Sequence, residues 1–92
     1  MMELVKLAHN AHVLTKDKNI YYLFSYELCL AQYNRGSNTL FIREDWTTYS
    51  NTTNKHLYQF IRDYTCYGVY NKKDLMRLIN DPKVNVNVVG EI

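Results

Sequence analysis

The stretch Ile20-Tyr21-Tyr22-Leu23-Phe24-Ser25-Tyr26-Glu27-Leu28-Cys29-Leu30-Ala31-Gln32-Tyr33 decides the fold. It is dense in aromatic and branched side chains, which favour the pleated, half-buried surface of a sheet. As a single strand it would run about 46 Å, well beyond the usual strand length. The chain is therefore expected to fold back within it, at a turn near Ser25 to Leu28. Alternation places Tyr22, Phe24 and Tyr26 on one face and Tyr21 and Leu23 on the other.

Working outward, Asn34-Arg35-Gly36-Ser37-Asn38 reads as a hairpin loop, because Gly and Asn tolerate the positive φ of short hairpins. Thr39 to Arg43 then returns as a strand. On the other side, Lys16-Asp17-Lys18-Asn19 is a polar turn after a short strand over Ala11 to Thr15. Glu3 to Asn10 fits either a short helix or a strand. The expected result is a β-meander of about three to four antiparallel strands.

The second half reads as helical. Leu57, Phe60, Ile61 and Tyr64 recur at helical spacing. Ser50, Asn51, Thr52 and Thr53 all offer N-cap oxygens before them. Asn71-Lys72-Lys73-Asp74 resembles a capping box and opens a second helix with Leu75, Leu78 and Ile79 on one face. Asn80-Asp81-Pro82 stops it. Val84 to Val88 alternates like a half-buried strand, and an unpaired edge there would accept a strand from a partner or a second copy, giving a homodimer. The fold class is α+β: a small antiparallel sheet with two short helices, in a single domain over residues 1–92.

Composition narrows the function. The chain has 92 residues, 47% of them hydrophobic, with nine tyrosines. That argues against disorder. Residues 1–45 carry five basic and five acidic side chains, and residues 46–92 carry six and four. The net charge of +2 lacks the strongly basic footprint of a tight nucleic-acid binder. Cys29 and Cys66 have no metal-ligand spacing, sit in segments that read as buried, and suggest a reducing compartment rather than a disulfide. No signal peptide and no membrane-spanning run is apparent. No cofactor or metal motif occurs, and the three histidines, His9, His12 and His56, make no catalytic pattern on their own. A non-enzymatic binding protein is expected.

The residues read as a partner-binding surface are Trp46, Tyr49, Lys55, His56 and Arg62, since Trp, Tyr and Arg dominate interfaces. Arg43, Thr52, Thr53 and Lys55 are candidates for contact with an anion or nucleic acid, through a helix N-terminus and its positive dipole. Sheet tyrosines Tyr21, Tyr22, Tyr26 and Tyr33, with Arg35 and Arg43, would stack bases in the alternative reading, a small nucleic-acid-binding module. Capping by Ser50 or Thr52, with Trp46 in the core, competes with both.

Ser25-Tyr26, Leu30-Ala31, Trp46, Tyr49-Ser50, Thr52-Thr53, Lys55-His56 and Phe60 follow a recurrent spacing. Over residues 20–64 the chain resembles a family of small uncharacterised proteins carried by bacteriophages and other mobile elements. Leu28-Cys29 departs from that pattern, where family members often carry Thr or Pro and a β-branched residue. The resemblance implies a mobile-element origin, action in the cytoplasm of a host cell, and a host macromolecule as partner. A defence protein such as a CRISPR effector is its most specific form. It implies no activity.

Overall fold

A computed structural model describes residues 2–92. Its strands are β1 (Met2–Ala8), β2 (Ala11–Lys16), β3 (Ile20–Ser25), β4 (Leu28–Asn34), β5 (Thr39–Arg43) and β6 (Val86–Val89). Its helices are α1 (Asn51–Tyr64) and α2 (Lys72–Ile79), with a 3-10 turn at Trp46–Thr48. The fold is α+β. The six strands form one sheet in sequence order, β1 to β6.

The meander is longer than expected. Residues 2–8 take the strand option and pair antiparallel with β2, so five strands alternate in direction before the helices begin. The last strand departs from the antiparallel expectation. It covers Val86–Val89 rather than Val84 to Val88 and runs parallel to β5. A crossover through two helices returns the chain to the same end of the sheet, and that connection makes parallel pairing available. β1 and β6 are the sheet edges.

The fold-back inside residues 20–33 lies at Tyr26-Glu27, and both residues have positive φ, 50° and 69°. Asp17 and Lys18 do the same between β2 and β3. At Tyr26-Glu27 the paired positive φ is that of a two-residue hairpin, whose twist matches its strands, while the β2–β3 loop holds a third residue, Asn19. In the β4–β5 loop the left-handed residue is Asn38, at 52°, and not Gly36. Gly36 instead donates its N–H to Asn34 Oδ1 at 3.0 Å.

The core lies between one sheet face and the helices. Val5, Val13, Leu23, Ala31, Ile42 and Val88 form a continuous row across all six strands. The middle four are fully buried. Leu23 pairs with Ala31 while Phe24 pairs with Cys29, so Leu30 is the extra residue of a bulge. The bulge lets consecutive Leu30 and Ala31 both bury, which strict alternation would forbid. Against this face α1 sets Leu57, Phe60 and Ile61, and α2 sets Leu75, all at 0% exposure.

The helix starts are capped. Ser50 Oγ accepts the Thr53 N–H at 3.2 Å. Asn71 Oδ1 accepts the Asp74 N–H at 2.8 Å, and Asp74 Oδ2 reaches back to the Tyr70 N–H at 3.1 Å. Ser50→Ala should cost about 1 kcal/mol, as cap removals do. Urea unfolding of the variant checks this; an unchanged midpoint would mean water replaces the cap without loss.

Candidate functional site

The sequence-derived surface residues do not form one surface. Trp46 is 3% exposed and belongs to the core, beneath the connection from β5 to α1. His56 is 6% exposed and Thr53 8%. All three are buried, so none is a surface contact. Tyr49 is half-buried and packs against the core, with its hydroxyl donating to Asp45 Oδ2 at 2.9 Å. Arg43 holds the same carboxylate through Nε at 3.1 Å and a second nitrogen at 3.2 Å. Together Arg43 and Tyr49 hold the Asp45 carboxyl below its usual range. Arg62 donates to the Val69 carbonyl at 2.8 Å and lies 4.7 Å over the exposed Tyr70 ring. Lys55 and Thr52 are exposed on α1.

The anion site at the start of α1 weakens on the same geometry. Ser50 Oγ takes the Thr53 N–H, and the Ser50 carbonyl takes the Asn54 N–H at 3.0 Å. Ser50 also donates its hydroxyl to Thr53 Oγ1 at 3.2 Å. The Thr53 and Asn54 N–H groups, two of the donors an anion would use, are thus already paired.

His56 does have a specific role. Its Nδ1 lies 2.8 Å from Ser25 Oγ, joining α1 to the end of β3. The His9 backbone lies close to the ring, and the Tyr26 ring centroid lies 6.1 Å away. The imidazole tautomer sets which of the two groups donates in the bond between His56 and Ser25. A serine bonded to an imidazole is the arrangement of a nucleophile and its base. Here Ser25 is only 1% exposed, so a substrate has no access to its oxygen.

The surface that stands open is the other face of the sheet. Leu4, Leu14, Tyr22, Gln32, Phe41 and Asn87 line up across all six strands, in register positions between the buried ones. Neighbouring rows add Met2 beside Lys16, and Lys6, His12, Phe24 and Cys29. No helix packs here. Met2 and Leu4 are 68% and 62% exposed, while Tyr22, Phe24 and Phe41 are half-buried. Where one side of an antiparallel sheet is wet, it ordinarily carries polar residues. This one carries aromatic and aliphatic residues instead, and a contiguous apolar patch of that kind marks a contact surface.

Its strand residues carry charge of one sign. Glu3 is the only acidic residue within the six strands. Its register row, with Thr15 and Tyr21, faces the helices, and its charge is felt by Tyr64 of α1. The open face therefore holds Lys6, Lys16 and Arg43 and no strand carboxylate. Two shallow hollows lie on it. One, of about 310 Å³, is lined by Leu14, Lys16, Tyr22, Phe24 and Cys29 among others. The second, of about 320 Å³, is lined by Gln32, Phe41, Val89, Glu91 and Ile92.

The expected sheet tyrosines divide between the faces. Tyr33 is buried and donates to Asn38 Oδ1 at 2.6 Å, and Tyr21 packs beside Tyr64 in a tilted pair with ring centroids 5.0 Å apart. Tyr26 is 55% exposed at its turn, but its ring lies beside His56 on the helix side. Only Tyr22 reaches the open face, where Phe24 and Phe41 accompany it. Phe41 was legible as part of a strand but gave no signal of its face, because that depends on the register with β4.

Both cysteines are free; Cys29 is half-buried on the open face and Cys66, expected to be buried, is exposed after α1. Among the described residues no three His, Cys, Asp or Glu side chains gather as a metal site. No described helix is long and apolar enough to cross a membrane.

A model described as a family of unknown function (DUF8033) matches residues 2–77. No curated protein and no solved structure matches the chain.

Proposed function

The chain belongs to this family of unknown function, and from its geometry we propose a non-enzymatic binding protein that engages a macromolecular partner through the open face of its sheet. The observation that carries this reading is the row Leu4, Leu14, Tyr22, Gln32, Phe41 and Asn87, largely apolar and left uncovered by the helices. A protein partner fits it best, because aliphatic and aromatic side chains are mixed and the cations stand at the margins. The partner proposed from the sequence resemblance is a host protein met in the host cytoplasm, with a defence effector as its most specific form.

Nucleic acid is the second reading. Tyr22, Phe24 and Phe41 with Lys6, Lys16 and Arg43 would give bases a stacking platform and phosphates their cations.

Capture from bacterial lysate, with and without nuclease, separates the two. A protein partner should survive nuclease and change little with salt, whereas phosphate contacts weaken steeply as salt rises. Tyr22→Ala and Phe41→Ala should each weaken capture about tenfold, or about 1.4 kcal/mol, within the range of interface anchors. Circular dichroism confirms that each variant is folded. Unchanged capture by both folded variants would remove the open face from the proposal.

A further inference from the structure

The open face already carries a piece of its own chain. β6 ends where the Glu44 N–H donates to the Val89 carbonyl at 2.7 Å. Residues 90–92 then leave the sheet edge and turn onto the open face. Ile92 lines both hollows, with Phe41 and Gln32 on one side and Tyr22, Phe24 and Cys29 on the other. It is partly buried there, although it lies outside every helix and strand. Glu91 lines the hollow beside Phe41, and its negative charge is felt by Arg43.

We infer that the two hollows form one peptide groove, and that the Glu91–Ile92 step displays the chemistry it accepts: an extended segment with a carboxylate followed by a branched aliphatic side chain. This rests on reading the face as a protein-binding surface. The aliphatic position follows from Ile92 on the saddle between two hollows lined by Leu14, Tyr22, Phe24 and Phe41. The acidic position follows from Glu91, which lines the hollow beside Phe41 and Gln32 and whose charge acts on Arg43, a cation otherwise held by Asp45. The chain's own tail is a tethered competitor. A short tether gives a high effective concentration, so even a weak contact is occupied until a partner displaces it.

The test uses the full chain and its Ile92→Asp variant, with a synthetic peptide of the sequence of residues 88–92 as the probe. In an NMR titration the variant should show shifts confined to Tyr22, Phe24, Gln32 and Phe41. The wild type, its groove filled, should bind the same peptide at least about threefold more weakly. A peptide with lysine in place of the glutamate should bind neither. Absent or scattered shifts would overturn the groove, and equal binding of the lysine peptide would overturn the acidic requirement. Alkylation reports on the tail without any ligand: Cys29 should label several-fold faster in Ile92→Asp, with exposed Cys66 as the internal control. Equal Cys29 rates would overturn the seating of the tail. Lysate capture that depends on Tyr22 and Phe41, alongside a peptide that does not bind, would leave the contact face standing and remove the peptide chemistry.

Discussion

Trp46→Ala should cost about 3–5 kcal/mol of stability, in the range of large core truncations. The side chain is 3% exposed and belongs to the cluster that includes Leu40, Ile42 and Leu57. Its removal leaves a cavity under a connection with little freedom to collapse. The Thr48 N–H and hydroxyl both bond the Asp45 carbonyl, and Arg43 and Tyr49 pin the Asp45 carboxylate. A domain of this size has about 5–15 kcal/mol in total, so the loss takes a large share of it. Each kcal/mol lowers Tm by about 4–8 °C for a chain of this length. Thermal unfolding followed by circular dichroism reads the effect, and a Tm within a few degrees of wild type would contradict the burial. A capture experiment that truncates Trp46 would therefore report loss of the fold and not loss of an interface. Tyr22 and Phe41 are the informative positions.

The sequence was most legible where local pattern and tertiary role coincide. Helix α1 was visible because Leu57, Phe60 and Ile61 repeat at helical spacing and bury together. The fold-back at Tyr26-Glu27 was visible only through strand length, since neither residue is a usual turn former and both are held at positive φ by the hairpin. Strand β1 was ambiguous because the spacing of Leu4, Val5, Leu7 and Ala8 serves both periods; its pairing with β2 decides the matter. The direction of β6 was not legible at all, because alternation in Val86–Val89 is the same in parallel and antiparallel ladders. The site was harder still. Trp46 and His56 have the chemistry of contact residues, yet both are buried. The contact face itself depends on register, which brings Leu14, Tyr22 and Phe41 from three separate strands into one row.

His56→Ala should cost about 2–4 kcal/mol at neutral pH, through the cavity it leaves and the unpaired Ser25 hydroxyl beneath it. Ser25→Ala should cost less, about 1–2 kcal/mol, because a small hydroxyl leaves little space behind. The double variant should cost less than the sum of the two, since each single change already breaks the 2.8 Å bond. The pair also gives the fold a pH dependence of known sign. Burial first, then the charge of His9, lowers the His56 pKa from its ordinary 6.5, outweighing the opposing effect of the His9 backbone. The folded state thus resists a proton that the unfolded chain takes up readily. Stability is fully present above the unfolded pKa, declines as pH falls below it, and levels off once the folded pKa is passed. Asp45 titrates lower, below its ordinary 3.8, so it does not contribute in this window. Urea unfolding at about pH 7.5 and about pH 5.5 brackets the ordinary histidine value. The wild type should lose more stability between these conditions than His56→Ala does. An equal loss in both would show that the imidazole stays uncoupled from folding, and that the Ser25 bond survives protonation with the serine oxygen accepting.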